Sequence, residues 1–351
     1  MNSPTASPAD VRRRPLGGTL TGLARSTEAT LAAVGVLGYA ALVAGSHGGL
    51  LHGNAIQGVL VYLTVPILIG LAQLVVLAVG QMNLAVGALG GFLSVSIGSL
   101  MADHGAPTVL AVVVALAGGA AIGAVNGLLV VATRINGFIV TLAAMTILGG
   151  LQYKVAGTRT IGVPGSTLTR FGSASVWHVP AIFLVALATA AAVAFFLRRV
   201  TAGRRLLASG GNPLAARLSG ISNERSLVVA HGLSGLIVGI AAVLTTASAP
   251  GVNTSIGGDW LLPSFAAAII GGTALAGGAV SVLGTVLAAF VVRLVDVARA
   301  QYSLDPSWVN FTVGAVVLGT VVLGRVRETL HDRAAKSSPA RAPQPTTGSP
   351  S

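Results

Sequence analysis

The 351-residue chain is 53% apolar and only 9% charged, with a mean hydropathy of +0.84 and a net charge of +12. Soluble domains carry roughly 25% charged residues, so this chain cannot cover a globular surface with polar side chains and reads as a membrane protein. The basic residues lie between apolar runs without interleaved aromatics, which argues against nucleic acid as a partner. The lack of cysteine excludes disulfide, thiolate-zinc and cysteine-nucleophile chemistry, and the six histidines show no paired metal-ligand spacing.

Residues 1–27 and 326–351 are rich in Pro, Ser, Thr, Gly and Arg and are expected to be disordered cytosolic tails. Between them, 28–325 is expected to form the transmembrane domain. It holds ten apolar spans: 29–46, 57–79, 84–101, 107–131, 138–154, 177–197, 226–248, 262–278, 280–298 and 308–324. About 20 apolar residues are needed to cross ~30 Å of hydrocarbon as a helix. The 84–101 and 262–278 spans are interrupted by glycine, so broken or re-entrant helices are candidates there. The first span resembles a signal peptide in ending on Ala44-Gly45-Ser46. Its apolar run is long and further spans follow, so an uncleaved anchor is expected.

Arginine placement orients the chain. With both termini in the cytosol, only Lys154, Arg159, Arg170, Arg293 and Arg299 of the 21 basic residues fall on the outer side or outer half. That bias obeys the positive-inside rule. Trp177, Trp260 and Trp308 then open spans that begin at the outer interface, where indoles are favoured. The expected fold class is an all-α integral membrane protein of about ten transmembrane helices.

The longest cytosolic loop, 198–225, gathers Arg198, Arg199, Arg204, Arg205, Arg217 and Arg225 around Gly210-Gly211-Asn212-Pro213. Asn212 is a good N-cap, Pro213 suits the first turn, and Gly220 can end a helix in left-handed backbone. A short helix over Pro213–Ser219 follows, with Leu214 and Leu218 one turn apart and Arg217 beside them. A positive-inside loop accounts for the arginines alone. A capped apolar helix lying in water calls for a docking partner.

The segment GGNPLAARLSGI (210–221) resembles the cytoplasmic coupling segment of ABC-importer permeases of the ribose/xylose type, in the group that also holds branched-chain amino-acid permeases. The likeness continues through GQMNLAVG (80–87), GAVNGLLV (123–130), RINGFIVTLAAMTILGGL (134–151), LLPSFAAAIIGGTALAGGAVSVLGT (261–285) and PSWVNFTVG (306–314), covering roughly 57–325. The resemblance implies a permease with an inverted-repeat fold, working as a homodimer or paired with a second permease in a bacterial cytoplasmic membrane. It also implies a cytosolic ATP-binding subunit docked on Gly211, Asn212, Pro213, Leu214, Arg217 and Leu218, an extracytoplasmic solute-binding protein, and a monosaccharide as cargo. The chain itself is expected to bind no cofactor, ATP being used by the partner, and GxxxxGK[ST] is absent. Relative to the family pattern, Asn83 replaces an acid, Leu214 replaces Glu, Leu261-Leu262-Pro263 stand where some members carry acids, and Asp296-Val297 replace paired asparagines.

Polar residues inside spans are functional candidates. Asn83, Asn126 and Asp296 are candidates for the substrate pathway, although Asn126 also suits interhelical hydrogen bonding and Asp296 also suits an interfacial ion pair with Arg293. Asn83 and Gly87 recur in spacing as Asn253 and Gly257, as an inverted repeat would require. An ion-coupled secondary transporter is the competing function, and would need a mid-membrane carboxylate or His, for which Asp296 is the one candidate. No nucleophile–base or metal constellation supports a membrane enzyme.

Overall fold

The computed structural model describes residues 27–303 apart from 164 and 166, together with 305, 307, 311 and 314. The chain is built from helices α1 (Thr27–Gly45), α2 (Gly53–Leu77), α3 (Val86–Ala102), α4 (Thr108–Thr133), α5 (Gly137–Ala156), α6 (Thr167–Ser173), α7 (Ala181–Arg199), α8 (Thr201–Gly211), α9 (Pro213–Leu218), α10 (Asn223–Ser248), α11 (Leu261–Ile270) and α12 (Val282–Tyr302). Two-residue strands make two antiparallel pairs: β1 (Ile161–Gly162) with β4 (Gly251–Val252), and β2 (Ser175–Val176) with β3 (Val179–Pro180). Among the described residues six helices, α1, α2, α4, α5, α7 and α10, are long and apolar enough to cross a membrane, and α3 and α11 are shorter apolar helices. The tails and the expected 308–324 span lie outside the described residues, apart from 311 and 314.

The 262–278 span is broken, as its glycines suggest: α11 stops at Ile270, and Gly272, Gly277 and Gly278 carry the chain onward at positive φ, which glycine adopts at little cost. The tryptophan expectation needs correction. The tryptophans do not all sit at an interface. Trp260 is 7% exposed, with its ring against Gly90 of α3, while Trp177 occupies the exposed β2–β3 turn ahead of a span that begins only at Ala181.

Packing centres on α2. From Ile67 to Ala78 its residues are buried on every side, as expected of a helix that is apolar all round. It touches α7, α10, α11 and α12. α4 packs closely on α10 along a seam of small residues. Gly119, Gly123 and Gly127, four residues apart on α4, face Gly235, His231 and Val228 on α10. Lipid tails are as apolar as leucine, so helices in a bilayer gain from close backbone approach, which small residues permit. Exposed apolar side chains such as Val113, Leu128, Ile139 and Ile147 cover the outside of α4 and α5, a surface that suits lipid. At the end of the molecule opposite the arginine-rich segment, Arg159 forms a bidentate pair with Asp103, 2.6 Å at the shorter contact, and holds that carboxyl below the usual range.

A Cβ at Gly123 would overlap the His231 carbonyl oxygen, whereas one at Gly149 of α5 meets nothing within 4 Å. Gly123→Val is expected to destabilise the purified protein by at least the about 1–3 kcal/mol typical of overpacking. Gly149→Ala should leave thermal stability unchanged or raised, because alanine favours helix. Thermal unfolding in detergent distinguishes the two.

Candidate functional site

The arginine-rich segment folds much as its sequence suggests. Asn212 Oδ1 accepts from Ala215 N–H at 3.0 Å, and Pro213 opens α9. Gly220, at φ 76°, ends it with Gly220 N–H bonded to Arg217 O and Ile221 N–H to Ala216 O, a Schellman closure. The helix ends at Leu218, one residue short of the expected boundary. Ala216 is its buried anchor, while Leu214 and Leu218 are 70% and 82% exposed. Asn223 of α10 holds the segment from below, donating to Pro213 O at 2.9 Å and accepting from Ser209 Oγ at 2.9 Å. Arg217 is not left waiting for a partner acid: it faces Glu224 of its own chain at 3.5 Å, both side chains more than half exposed. Such a pair contributes little and exchanges readily.

Gly211 and its neighbour form the root of α9, and this root rests on two other segments. A Cβ at Gly210 would overlap Ala78 O at the end of α2, and one at Gly278 would overlap Gly211 Cα. Gly277 approaches Gly80 N and Gly210 O, leaving 2.7 and 2.9 Å for any added Cβ. Gly278 N–H donates to Ala78 O at 2.9 Å. Three backbones, from the α8–α9 corner, the α2–α3 connection and the α11–α12 loop, therefore meet with no side chain between them. Sequence alone marked Gly211 as part of the segment but not this contact.

Asn83 lies just beyond this joint, 2% exposed, in the non-helical connection between α2 and α3. Its Oδ1 accepts from Ala85 N–H at 3.0 Å and its Nδ2 donates to Ser234 Oγ of α10 at 3.2 Å. Gln73 of α2, oriented so that both ends of its amide bond, spans the Asn83 backbone at 2.9 and 3.3 Å. Thr141 of α5 accepts from Leu84 N–H at 3.1 Å. The chain between α10 and α11 is tied off in the same way. Asn253 Oδ1 accepts from Ser255 N–H at 3.0 Å, and Gln152 of α5 donates to Asn253 O and Ile256 O at 3.4 and 3.0 Å. The second connection meets the first turn of α3, just after the first connection, where Gly257 abuts Gly87. Gln73, Thr141, Gln152 and Ser234 were not singled out from sequence; the available signal was that an amide inside an apolar span must find partners there.

The three candidate pathway residues do not converge. Asn126 is 4% exposed on α4 and borders an apolar groove between α4 and α5 with Ile122, Leu129, Ile139 and Leu148. Asp296 is on α12, paired with Arg293 at 2.6 Å, and Arg293 lies over the Tyr62 ring at 4.7 Å. Both line a cavity of about 570 Å³ between α2, α10, α11 and α12. Among the described residues there is no cluster of three His, Asp or Glu side chains that could hold a metal.

Known proteins resemble this chain over most of its length. Residues 55–321 match the family described as branched-chain amino acid transport system / permease component. The autoinducer 2 import system permease protein LsrC of Enterobacter sp. (strain 638) is 30% identical over 276 residues, 78% of this chain and 80% of that one. The D-allose transport system permease protein AlsC of Escherichia coli K12 is 27% identical over 78% of this chain and 84% of its own. The fructose import permease protein FrcC of Rhizobium meliloti is 29% identical over 73% of each. No solved structure matches. On the extent of the match, with its apolar helices, the chain belongs to the branched-chain amino acid transport system permease family.

Proposed function

We propose that this permease is the membrane-spanning subunit of an ABC importer that carries a small polar solute, a monosaccharide in the first instance, across the cytoplasmic membrane. The observation that carries the reading is α9: a capped helix held rigidly at its root, with Leu214 and Leu218 exposed beside Arg217. An apolar ridge of this kind suits a groove on a cytosolic ATP-binding subunit, and exchange of Arg217 from Glu224 to a partner acid would strengthen the contact. ATP is bound and hydrolysed by that subunit, and the permease needs no cofactor of its own. An extracytoplasmic solute-binding protein delivers cargo to a homodimer or to a pair of permeases. The printed cargoes of the relatives, D-allose, fructose and autoinducer 2, favour a sugar-like solute. A non-sugar cargo on the same machinery is the alternative.

The finer architecture in this reading is ten spans within 28–325, arranged as an inverted repeat with both termini in the cytosol. The matching Asx bonds at Asn83 and Asn253, and the abutment of Gly87 with Gly257, support the repeat. α2 approaches the first connection from the end remote from the arginines, and α10 approaches the second from the arginine end, as opposite topologies require. Asn83, Asn126 and Asp296 stand along the pathway or its supports, with Asn83 tied to the moving joint and Asp296 near the outer mouth. ATP-driven closure would push α9, and the glycine joint would pass that displacement to the end of α2 and to the α11–α12 loop.

Sidedness can be read with introduced cysteines, since the chain has none of its own. Leu218→Cys should be shielded from an impermeant thiol reagent in intact cells and Trp177→Cys should react; labelling of residue 218 from outside would contradict the topology. In the reconstituted complex, Arg217→Glu and the double change Leu214→Asp/Leu218→Asp should leave the permease in the membrane. Both should lower ATPase co-purification and abolish solute-stimulated hydrolysis. Stimulation at the wild-type level in both would show α9 to be an ordinary surface helix.

A further inference from the structure

Six arginines and a single acid occupy residues 198–225, and that acid, Glu224, faces Arg217. Upstream of α9 stand Arg198, Arg199, Arg204 and Arg205, all exposed and without a carboxylate partner among the described residues. A fixed elbow gathers them. α7 ends at Arg199, Val200 is the one extended residue, and α8 starts at Thr201. Gly203 lies so close to α7 that an added Cβ would overlap the Phe196 carbonyl oxygen, and Leu197 and Leu206 are buried on the two helices. One arginine pair therefore stands on each side of the bend, facing outward. The positive-inside rule explains why arginines lie at this end. It does not explain what leads up to them. Leu184, Ala188, Ala191 and Phe195 are exposed on α7 at intervals of three and four residues, a single apolar stripe that runs into Arg198 and Arg199. Phe195, one turn before the arginines, is 63% exposed.

Resting on the importer reading for its sidedness alone, we propose that the α7–α8 elbow binds an anionic glycerophospholipid of the cytosolic leaflet. The arginines at 198, 199, 204 and 205 hold its phosphate, and an acyl chain lies along Phe195 and Ala191. The stripe selects a lipid over a protein: a cytosolic subunit can meet the arginines in water but cannot follow apolar side chains into the span. The charge selects the headgroup. A zwitterionic headgroup carries its own cation, which the arginines repel, whereas phosphatidylglycerol carries none. Guanidinium forks match phosphate oxygens bidentately, and basic clusters just cytosolic of a spanning helix attract anionic lipid. The consequence is positional. α8 ends in Gly210 and Gly211 at the glycine joint, so a lipid that holds the elbow steadies the root of α9.

The test places the full chain in phosphatidylcholine vesicles with a minor fraction of brominated lipid, either phosphatidylglycerol or phosphatidylcholine at the same mole fraction. Phe195→Trp adds an indole beside the elbow, read as the difference from the unsubstituted protein with its three tryptophans. Ile139→Trp, exposed at the start of α5 near Arg134, is the control at the same end of the molecule. Brominated phosphatidylglycerol should quench residue 195 at least about twofold more than brominated phosphatidylcholine, and residue 139 about equally. Changing Arg198, Arg199, Arg204 and Arg205 together to Gln should remove the preference at 195. Should that variant not fold, Arg198→Gln/Arg199→Gln and Arg204→Gln/Arg205→Gln, made separately, should each reduce it. Equal quenching by the two lipids at 195, or a preference that survives loss of the arginines, would overturn the site. Soluble glycerol 3-phosphate and the ATP-binding subunit should each leave the preference in place. Its loss to the first would mean that the arginines take a free phosphate, and its loss to the second that they are a protein contact; either overturns the lipid site. The brominated lipid occupies both leaflets, so an inverted chain would quench alike, and thiol labelling of Leu218→Cys detects that failure separately.

Discussion

In a bilayer no water is available to unpaired backbone groups, so every interruption of a helix must be tied off by protein. Among the described residues this chain has three such interruptions, after α2, after α10 and after α11, the first two closed by side chains and the third by backbone. Gln73, Asn83 and Thr141 close the first, and Gln152 and Asn253 close the second. The third is closed by glycine, with Gly277 and Gly278 lying directly on the backbone at Ala78, Gly80, Gly210 and Gly211. The rest of the molecule is arranged so that these closures hold.

The consequence is mechanical. Side chains between packed elements can change rotamer and absorb a displacement, whereas backbones in direct contact cannot. The root of α9 therefore shares a joint with α2, whose second half is buried on every side and whose first half walls the outer cavity. A displacement of a surface helix six residues long has a short route to Asn83 on one side and to the α11–α12 loop on the other. The opposite end carries charge where the pathway reading needs it, in the Arg293–Asp296 pair.

Local signals were legible in the sequence. Asn212, Pro213 and Gly220 fixed α9 to within a residue, because caps depend on side chains adjacent in sequence. Apolar length identified most spans, and glycine content flagged the two that are short. Long-range contacts were not legible. Nothing local said that Gly278 would meet Ala78, that Gln152 would reach Ile256, or that Arg217 would face Glu224 rather than a partner. Trp260 misled for the same reason: its rule concerns interfaces in general, and here the gap left by Gly90 offered the indole a buried site.

The rigidity of the glycine joint is open to direct measurement. Spin labels at Leu218→Cys and Leu275→Cys report across it, and labels at Leu218→Cys and Trp177→Cys report from α9 to the far end. In the full complex, a rigid joint requires the first distance to stay fixed between nucleotide-free and ATP-bound states while the second changes. A shift in the 218–275 distance as large as that in the 218–177 distance would mean that α9 moves on its own, and that the joint does not carry its motion inward.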